Sequence, residues 1–333
     1  MPSTVLTLGA RGRFGLAAAQ AFASAGWRVL GQLRPKSEVP QTTSIEWLAM
    51  DLHDTAALAR AAQGATVVVH ALNPAYTNQA WQSQVGPMME DAICLTRALD
   101  ATLMLPGNVY NFGAGMPPEL REDTPQTAHT VKGQVRVAME EQLRSSGVPG
   151  IVIRAGDFFG SGKGTWFDTA IVKNIRKGVF TYPGPPDVAT AWAYLPDLAR
   201  SFVAVAERRS VLSRFEVFHF AGYTITGQQW VDALSPIARA QGWVKVGKSL
   251  HMSRLPWTVI RLGALVVPTW AGLMEMRYLW DTPHRLVNDK LTALIGAEPH
   301  TPFALAAHSA LADLGLLASS RPHAPSGAAS DII

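Results

Sequence analysis

Three glycines stand at Gly9, Gly12 and Gly15, in a G-x-x-G-x-x-G spacing that follows an apolar run and opens an alanine-rich helical pattern. That arrangement suits one task, holding a pyrophosphate. The strand must turn sharply, the backbone must approach the anion closely, and the helix must pack tightly on the strand; each demand excludes a side chain. The helix N-terminus then offers unpaired N–H groups and the positive end of its dipole. Gly9, Arg11, Gly12, Arg13, Phe14 and Gly15 are therefore the first candidate cofactor-binding residues. The flanking strand and helix separate this turn from a merely structural loop.

The second strand-like run, 27–33, ends at Arg34. An acidic residue there would grip a ribose 2′-hydroxyl. Arg34, with Lys36 close by and Arg11 in the turn, suits a 2′-phosphate instead, through paired N–H donors. The expected cofactor is NADP(H), with NAD(H) as the alternative. Asp51 and Leu52 follow the third strand, where Asp51 can accept from the adenine amino group or cap the helix that begins at Thr55. Spacing leaves both roles open.

The elements that must position these residues are legible in the hydrophobic pattern. Apolar runs at 5–8, 27–33, 45–49, 66–71, 102–105 and 150–154 alternate with helical spacing at 14–25, 55–62, 80–99 and 131–145. Strands rich in Val, Ile and Leu, separated by helices, predict an α/β fold: a Rossmann-like, doubly wound parallel sheet covered on both faces. After Arg154 the rhythm breaks, and 156–187, rich in Gly and Pro, reads as loops around one short helix. A helix over 195–207 and a strand near 216–220 follow, and from Thr226 the pattern is helical with many Trp, Leu and Met. The expected organisation is a cofactor-binding domain over 1–155, to which 190–225 returns. A smaller, mostly helical substrate domain spans 156–189 and 226–318, and a Ser/Ala/Pro/Gly tail over 319–333 is expected to be disordered.

Composition narrows the function further. Apolar residues make up 48% of the 333 and charged ones only 16%, which excludes a disordered or coiled-coil chain. The 29 basic residues exceed the 25 acidic ones but are scattered, so no nucleic-acid partner is expected. Cys94 is the only cysteine, which rules out an intrachain disulfide and fits a reducing, cytoplasmic compartment. The most membrane-like stretch, 262–274, is interrupted by Pro268 and falls short of the about 20 apolar residues that a span requires. It reads as a buried or partly exposed helix, and no membrane partner is expected. The histidines are dispersed without metal-ligand spacing, so no metal is expected. No G-x-S-x-G elbow is present, and the Gly-rich run at 160–164 lacks phosphate-loop spacing, reading as a flexible loop over the cleft.

Taken together, several short strings resemble the extended short-chain dehydrogenase/reductases, the NAD-dependent epimerase/dehydratase family. They are the glycine turn, Asp51-Leu52, Val67-Val68-Val69-His70-Ala71, Val109-Tyr110, Lys132, Arg154-Ala155-Gly156-Asp157-Phe158-Phe159-Gly160 and Tyr194-Leu195-Pro196-Asp197-Leu198-Ala199. Their order matches the family and covers roughly residues 4–225. The resemblance implies a cleft between the two domains, with Ala71, Leu72 and Asn73 beside the cofactor. It also implies a homodimer formed through the helices at 80–99 and 131–145.

The catalytic set is incomplete. Family members place a Tyr four residues before a Lys, with a Ser or Thr after the fifth strand, to handle the proton at the substrate oxygen. Lys132 matches and is expected to hold the nicotinamide ribose, but Ala128 stands where the Tyr would be and Pro106 where the Ser or Thr would be. His129 and Tyr110 are the substitute proton-handling candidates, with Asn108 also near the cleft. The expected function is an NADP(H)-dependent oxidoreductase for a small, fairly hydrophobic organic substrate bearing a carbonyl or activated double bond. A non-catalytic NAD(P)-binding sensor or scaffold is the alternative. A nucleotide-sugar epimerase or dehydratase ranks last, because that chemistry relies on the missing Tyr.

Overall fold

Aliphatic side chains occupy both faces of the strand-like runs, so each run can lie only in a sheet covered on both sides. The computed structural model describes residues 2–41 and 43–317; the tail expected over 319–333 lies outside the described residues. The first strands are β1 (Thr4–Leu8), β2 (Arg28–Leu33), β3 (Glu46–Ala49), β4 (Ala65–His70) and β5 (Thr102–Asn108). After the short β6 (Glu119–Leu120) come β7 (Gly150–Ala155), β8 (Asp157–Phe159), β9 (Val179–Tyr182), β10 (Thr190–Tyr194) and β11 (Phe215–His219). Seven of them form one parallel sheet in the order β3-β2-β1-β4-β5-β7-β11. Between them run α1 (Arg13–Ser24), α2 (Thr55–Ala61), α3 (Asn78–Ala98), α4 (Val131–Ser145) and α5 (Leu195–Glu207). The strand order reverses at β1 and β4, so the loops after these strands diverge and leave a crevice at their C-terminal ends.

The period-2 alternation of each strand divides the core. Val5, Val67, Val69 and Ile153 meet Phe14, Phe22 and Phe202 of α1 and α5, while Leu6, Leu8, Val68 and Leu103 meet Trp81, Met89 and Leu143 of α3 and α4. A slip of one residue in any strand would exchange the two sets, which pins the register.

The second unit is less helical than its sequence suggests. β8, β10 and β12 (Tyr223–Ile225) form a three-stranded sheet, β9 pairs with β13 (His251–Arg254), and β6 with β14 (Arg285–Leu286). Around them lie α6 (Gly227–Ala240), α7 (Trp257–Gly263), α8 (Pro268–Glu275), α9 (Tyr278–Asp281), α10 (Asp289–Ile295) and α11 (Phe303–Asp313). An aromatic core of Phe159, Phe180, Trp192 and Trp230 joins that sheet to α6 and α11. Three expectations need correction. The stretch 156–187 contains β8 and β9, and 190–225 divides between α5 and β11 of the large unit and β10 and β12 of the small sheet. β10 is buried at all five positions, so it lacks the alternation that marks a half-exposed strand. The stretch 262–274 is not one helix, because α7 ends at Gly263 and α8 starts at Pro268.

One buried ion pair locks α4 to the sheet. Arg154 on β7 donates from Nε and Nη2 to the two carboxylate oxygens of Glu140 on α4, at 3.1 and 2.7 Å, with side-chain exposures of 1% and 3%. Asn111 donates to the same carboxylate at 2.9 Å. Glu140→Ala strands a buried guanidinium and is expected to cost about 3–5 kcal/mol, read as a shift of the urea unfolding midpoint. A loss below about 1 kcal/mol would mean that the pair does not hold α4 in place.

Burial also holds three imidazoles neutral. His70 and His284 are pushed down to about 4 and His219 to about 3, chiefly by desolvation. An exposed imidazole titrates near about 6.5, so below that value the unfolded chain binds protons that the native chain refuses. Stability is therefore full above about pH 6.5 and falls as pH drops towards about 4. Asp157, pushed up to about 6 by burial, offsets part of this fall because its native carboxyl keeps a proton there. Melting temperature should decline steadily over that window; a flat profile would show that these histidines are not desolvated.

Candidate active site

The site begins at the glycine turn. Gly9 leaves β1 with φ +70°, and a Cβ there would lie 3.1 Å from the Ala71 carbonyl oxygen; a Cβ on Gly15 would collide with the Gly9 carbonyl oxygen. Gly12 donates its N–H to Gly9 O at 2.8 Å and caps α1 with backbone alone, so no side chain occupies the N–H groups of the first turn. Arg13 opens the helix with a half-buried guanidinium whose Nη1 has no partner. Its pKa is lowered by burial, against the raising charge of Asp168. An orphaned cation beside an uncapped helix N-terminus fits the pyrophosphate of a dinucleotide.

Gln32 braces this cradle from β2. Its Oε1 accepts from Gly9 N at 3.2 Å, and its Nε2 donates to Met50 O at 2.8 Å, tying the turn to the loop after β3. Arg34 and Asp51 stand exposed at the ends of β2 and β3, with Leu52 beneath. The structure removes one of the two roles left open for Asp51. Asp54 caps α2 by accepting from Ala57 N at 3.0 Å, so Asp51 is not the helix cap and faces the cavity.

From the cradle a cavity of about 1080 Å3 runs inwards past Ala71, Leu72 and Asn73 to a chamber of polar groups walled by aromatic rings. Tyr110 enters it from the 3-10 turn after β5, its hydroxyl 3.4 Å from that of Tyr76. Burial pushes Tyr110 up to about 12. Asp157 accepts at Oδ2 from the Trp280 indole N–H at 2.8 Å, while desolvation raises its carboxyl to about 6. Arg136 projects from α4, 5.1 Å from the Trp81 ring, with Nη1 donating to Pro106 O at 3.4 Å and Nε unpartnered. Among the described residues it forms no ion pair. His70, at the end of β4, also lines the cavity, and neither ring nitrogen has a partner. Buried polar groups normally find partners, so these orphans face space that a ligand would complete.

Lys132 does not line this cavity. Its ammonium is wholly buried behind Tyr76, 4.5 Å from that ring's centre; it donates to Asn78 Oδ1 at 2.5 Å and lies 3.6 Å from Glu275 Oε2. Desolvation lowers its pKa, opposed by Glu275. Glu275 also accepts from Val131 N, so the pair fastens α8 onto the head of α4. The basic residue that faces the cavity is Arg136, one helical turn further along. Thr130 caps α4 through Gly133 N at 3.1 Å, and Glu140 binds Arg154 beyond; between these two restraints the rotation of the helix is set. His129 is exposed outside the cavity, its Nδ1 accepting from Ala114 N at 3.4 Å and its ring against Tyr278.

Of the residues expected from sequence, Gly9, Arg11, Gly12, Arg13, Phe14, Arg34, Asp51, Leu52, Ala71, Leu72, Asn73 and Tyr110 line one cavity. Gly15 packs beneath the turn, while Lys132, His129 and Lys36 stand outside the lining. Gln32, His70, Arg136 and Asp157 also line the cavity, and no motif spacing marks them as site residues. Arg136 repeats the basic character of Lys132 at a spacing of one turn, which is the signal that could have found it. Asp157 lies within the family-like run from Arg154 to Gly160, and nothing local marks it as desolvated. Among the described residues no cluster could hold a metal ion.

A family model described as NAD dependent epimerase/dehydratase family matches residues 5–219. No curated protein matches the sequence. Solved structures do match, at low identity. An epimerase-like protein from Burkholderia cenocepacia J2315 aligns with a TM-score of 0.72 at 18% identity, over 93% of this chain and 98% of that one. The UDP-glucuronic acid 4-epimerase from Bacillus cereus, in complex with NAD, gives 0.71 at 15% identity, over 95% and 99%. The Bordetella bronchiseptica enzyme WbmH, in complex with NAD+, gives 0.68 at 15% identity, over 94% and 98%.

Two substitutions on α4 separate its two cations. Lys132→Met leaves Glu275 without its counterion and should lower stability by about 1–3 kcal/mol, with dinucleotide affinity kept within about twofold. Arg136→Met should keep the melting temperature and weaken ligand binding in the chamber, read by quenching of the neighbouring tryptophans. The reverse pattern would return the ligand-facing role to Lys132.

Proposed function

The chain belongs to the NAD dependent epimerase/dehydratase family, and on that premise we propose that it is an NADP(H)-dependent oxidoreductase. Its substrate is a small, fairly hydrophobic organic molecule with a carbonyl or an activated double bond. The observation that carries this reading is the presence, in one aromatic chamber, of an Arg136 guanidinium with no ion-pair partner among the described residues and an Asp157 carboxyl that burial raises to about 6.

The turn from Gly9 to Gly15 and Arg13 would hold the pyrophosphate, and Arg34 with Arg11 the 2′-phosphate. The last residue of β2 is Leu33 and the next is Arg34, so no carboxylate repels a phosphate there. When bound, the reduced nicotinamide supplies a hydride. The chain's own residues do the rest. Arg136 and the Tyr110 hydroxyl offer N–H and O–H donors to the substrate oxygen, so the negative charge that develops there is stabilised in a poorly solvated space. Asp157, held by Trp280, gives up a proton to complete the reduction. Tyr76, Trp81 and Trp166 exclude water from the reacting centre.

The solved relatives include enzymes named for nucleotide sugars, but the residues at the usual proton-handling positions argue against that chemistry. Epimerisation needs a group that takes a proton and returns it, whereas Ala128 and Pro106 stand at the usual positions and Lys132 is committed to Glu275.

Titration with NADPH and NADH, followed by turnover of aldehydes, ketones and enones, tests this reading. Arg34→Ala should weaken NADPH at least tenfold and NADH less than twofold. In the reductive direction kcat/KM should fall about tenfold per pH unit above about 6, as the acid loses its proton. Asp157→Asn should flatten that profile and lower the rate by about 10²–10⁴. Tight NADPH binding without turnover favours a sensor. Turnover of a UDP-sugar with no net consumption of NADPH, or binding of neither cofactor, overturns the proposal.

A further inference from the structure

Between Asp232 and Glu275 the chain carries no acidic residue and five basic ones: Arg239, Lys245, Lys248, Arg254 and Arg261. Those five exceed the surplus of four carried by the whole protein, so its positive excess is concentrated in this stretch. The stretch contains the hairpin of α7 and α8. On its inner side Ile260 and Leu273 pack with Trp166, Trp257 and Trp280, and Glu275 closes onto Val131 and Lys132 at the base. The fold therefore uses one face of the hairpin fully. The tip is different. Leu262, Leu265 and Val266 are 67%, 85% and 80% exposed, with Val259 and Trp270 also open.

Scattered exposed aliphatics are ordinary, but adjacent large ones at a single tip mark an interaction surface. We propose that this hairpin tip docks onto an anionic lipid surface, inserting Leu262, Leu265 and Val266 among the acyl chains with Arg254 and Arg261 at headgroup level. Charge decides between this occupant and a second copy of the chain. A second copy would present the same exposed cations, Arg254 and Arg261, to this tip. A bilayer bearing anionic headgroups supplies the missing charge. Trp270, apolar in body with one N–H, suits the boundary between headgroup and tail. No helix of the described residues is long and apolar enough to cross a membrane, and the two hairpin helices have seven and eight residues, so the tip lies on the surface. This departs from the expectation of no membrane partner, which rests on the lack of a stretch long enough to span a bilayer. It is independent of the function proposed above.

Co-sedimentation of the full chain with phosphatidylglycerol and with phosphatidylcholine vesicles tests the docking. Binding to the anionic vesicles should exceed that to the neutral ones and weaken as salt rises. Leu265→Asp and Val266→Asp should each reduce it at least tenfold, and Arg254→Glu or Arg261→Glu at least about fivefold. All four side chains are exposed, so melting temperature and NADPH affinity serve as controls and should not move. Absence of binding to phosphatidylglycerol vesicles, undiminished binding by Leu265→Asp, or a dimer in solution that Leu265→Asp dissociates would each overturn the proposal.

Discussion

The carboxylate of Glu140 sets the geometry of the chamber. It takes two hydrogen bonds from Arg154 and one from Asn111, and each contact carries a site residue with it. Arg136 lies one helical turn before Glu140 on α4, so the rotation that aims the carboxylate at β7 also aims the guanidinium at the crevice. Asn111 follows Tyr110 in the same 3-10 turn, and Asp157 begins the strand that leaves Arg154. One buried charge pair thus positions a cation, a hydroxyl and an acid contributed by three different elements. Such a pair contributes little as net stabilisation, but breaking it is costly, which gives it the rigidity a site requires.

Within the chamber the electrostatics are deliberately one-sided. Below about pH 6 the Asp157 carboxyl keeps its proton while the imidazole of His70 stays neutral down to about 4, so in that range Arg136 is the charge that stands unbalanced among the three. Aromatic rings wall the space around it, so that charge is screened less than one on the surface and favours any negative charge arising beside it. Lys132 contributes nothing to this balance. Its ammonium is matched by Glu275 and enclosed by Tyr76 and Trp81, and its role is to hold the head of α4 against α8. The second unit therefore reaches the chamber through Trp166 in its wall, the roof fixed by Glu275 and the Trp280 indole that restrains Asp157.

Much of this was determined by the sequence alone. The glycine turn, the alternation of aliphatic strands with helices, the arginine at the end of β2, and the absence of the usual Tyr and Ser each follow from local rules acting over a few residues. The sheet core and the cradle accordingly stand where the pattern puts them. Only the tertiary structure decided which groups meet beyond the cradle. Lys132 and Arg136 are separated by four residues, about 40° apart around a helix of 3.6 residues per turn, so sequence periodicity cannot say which one faces the crevice; the cap at Thr130 and the pull of Arg154 on Glu140 do. Asp157 and His70 read as ordinary polar residues until the sheets and the roof remove their water. Desolvation is a property of what surrounds a group in space, and it is the part of the chemistry that a linear spacing cannot encode.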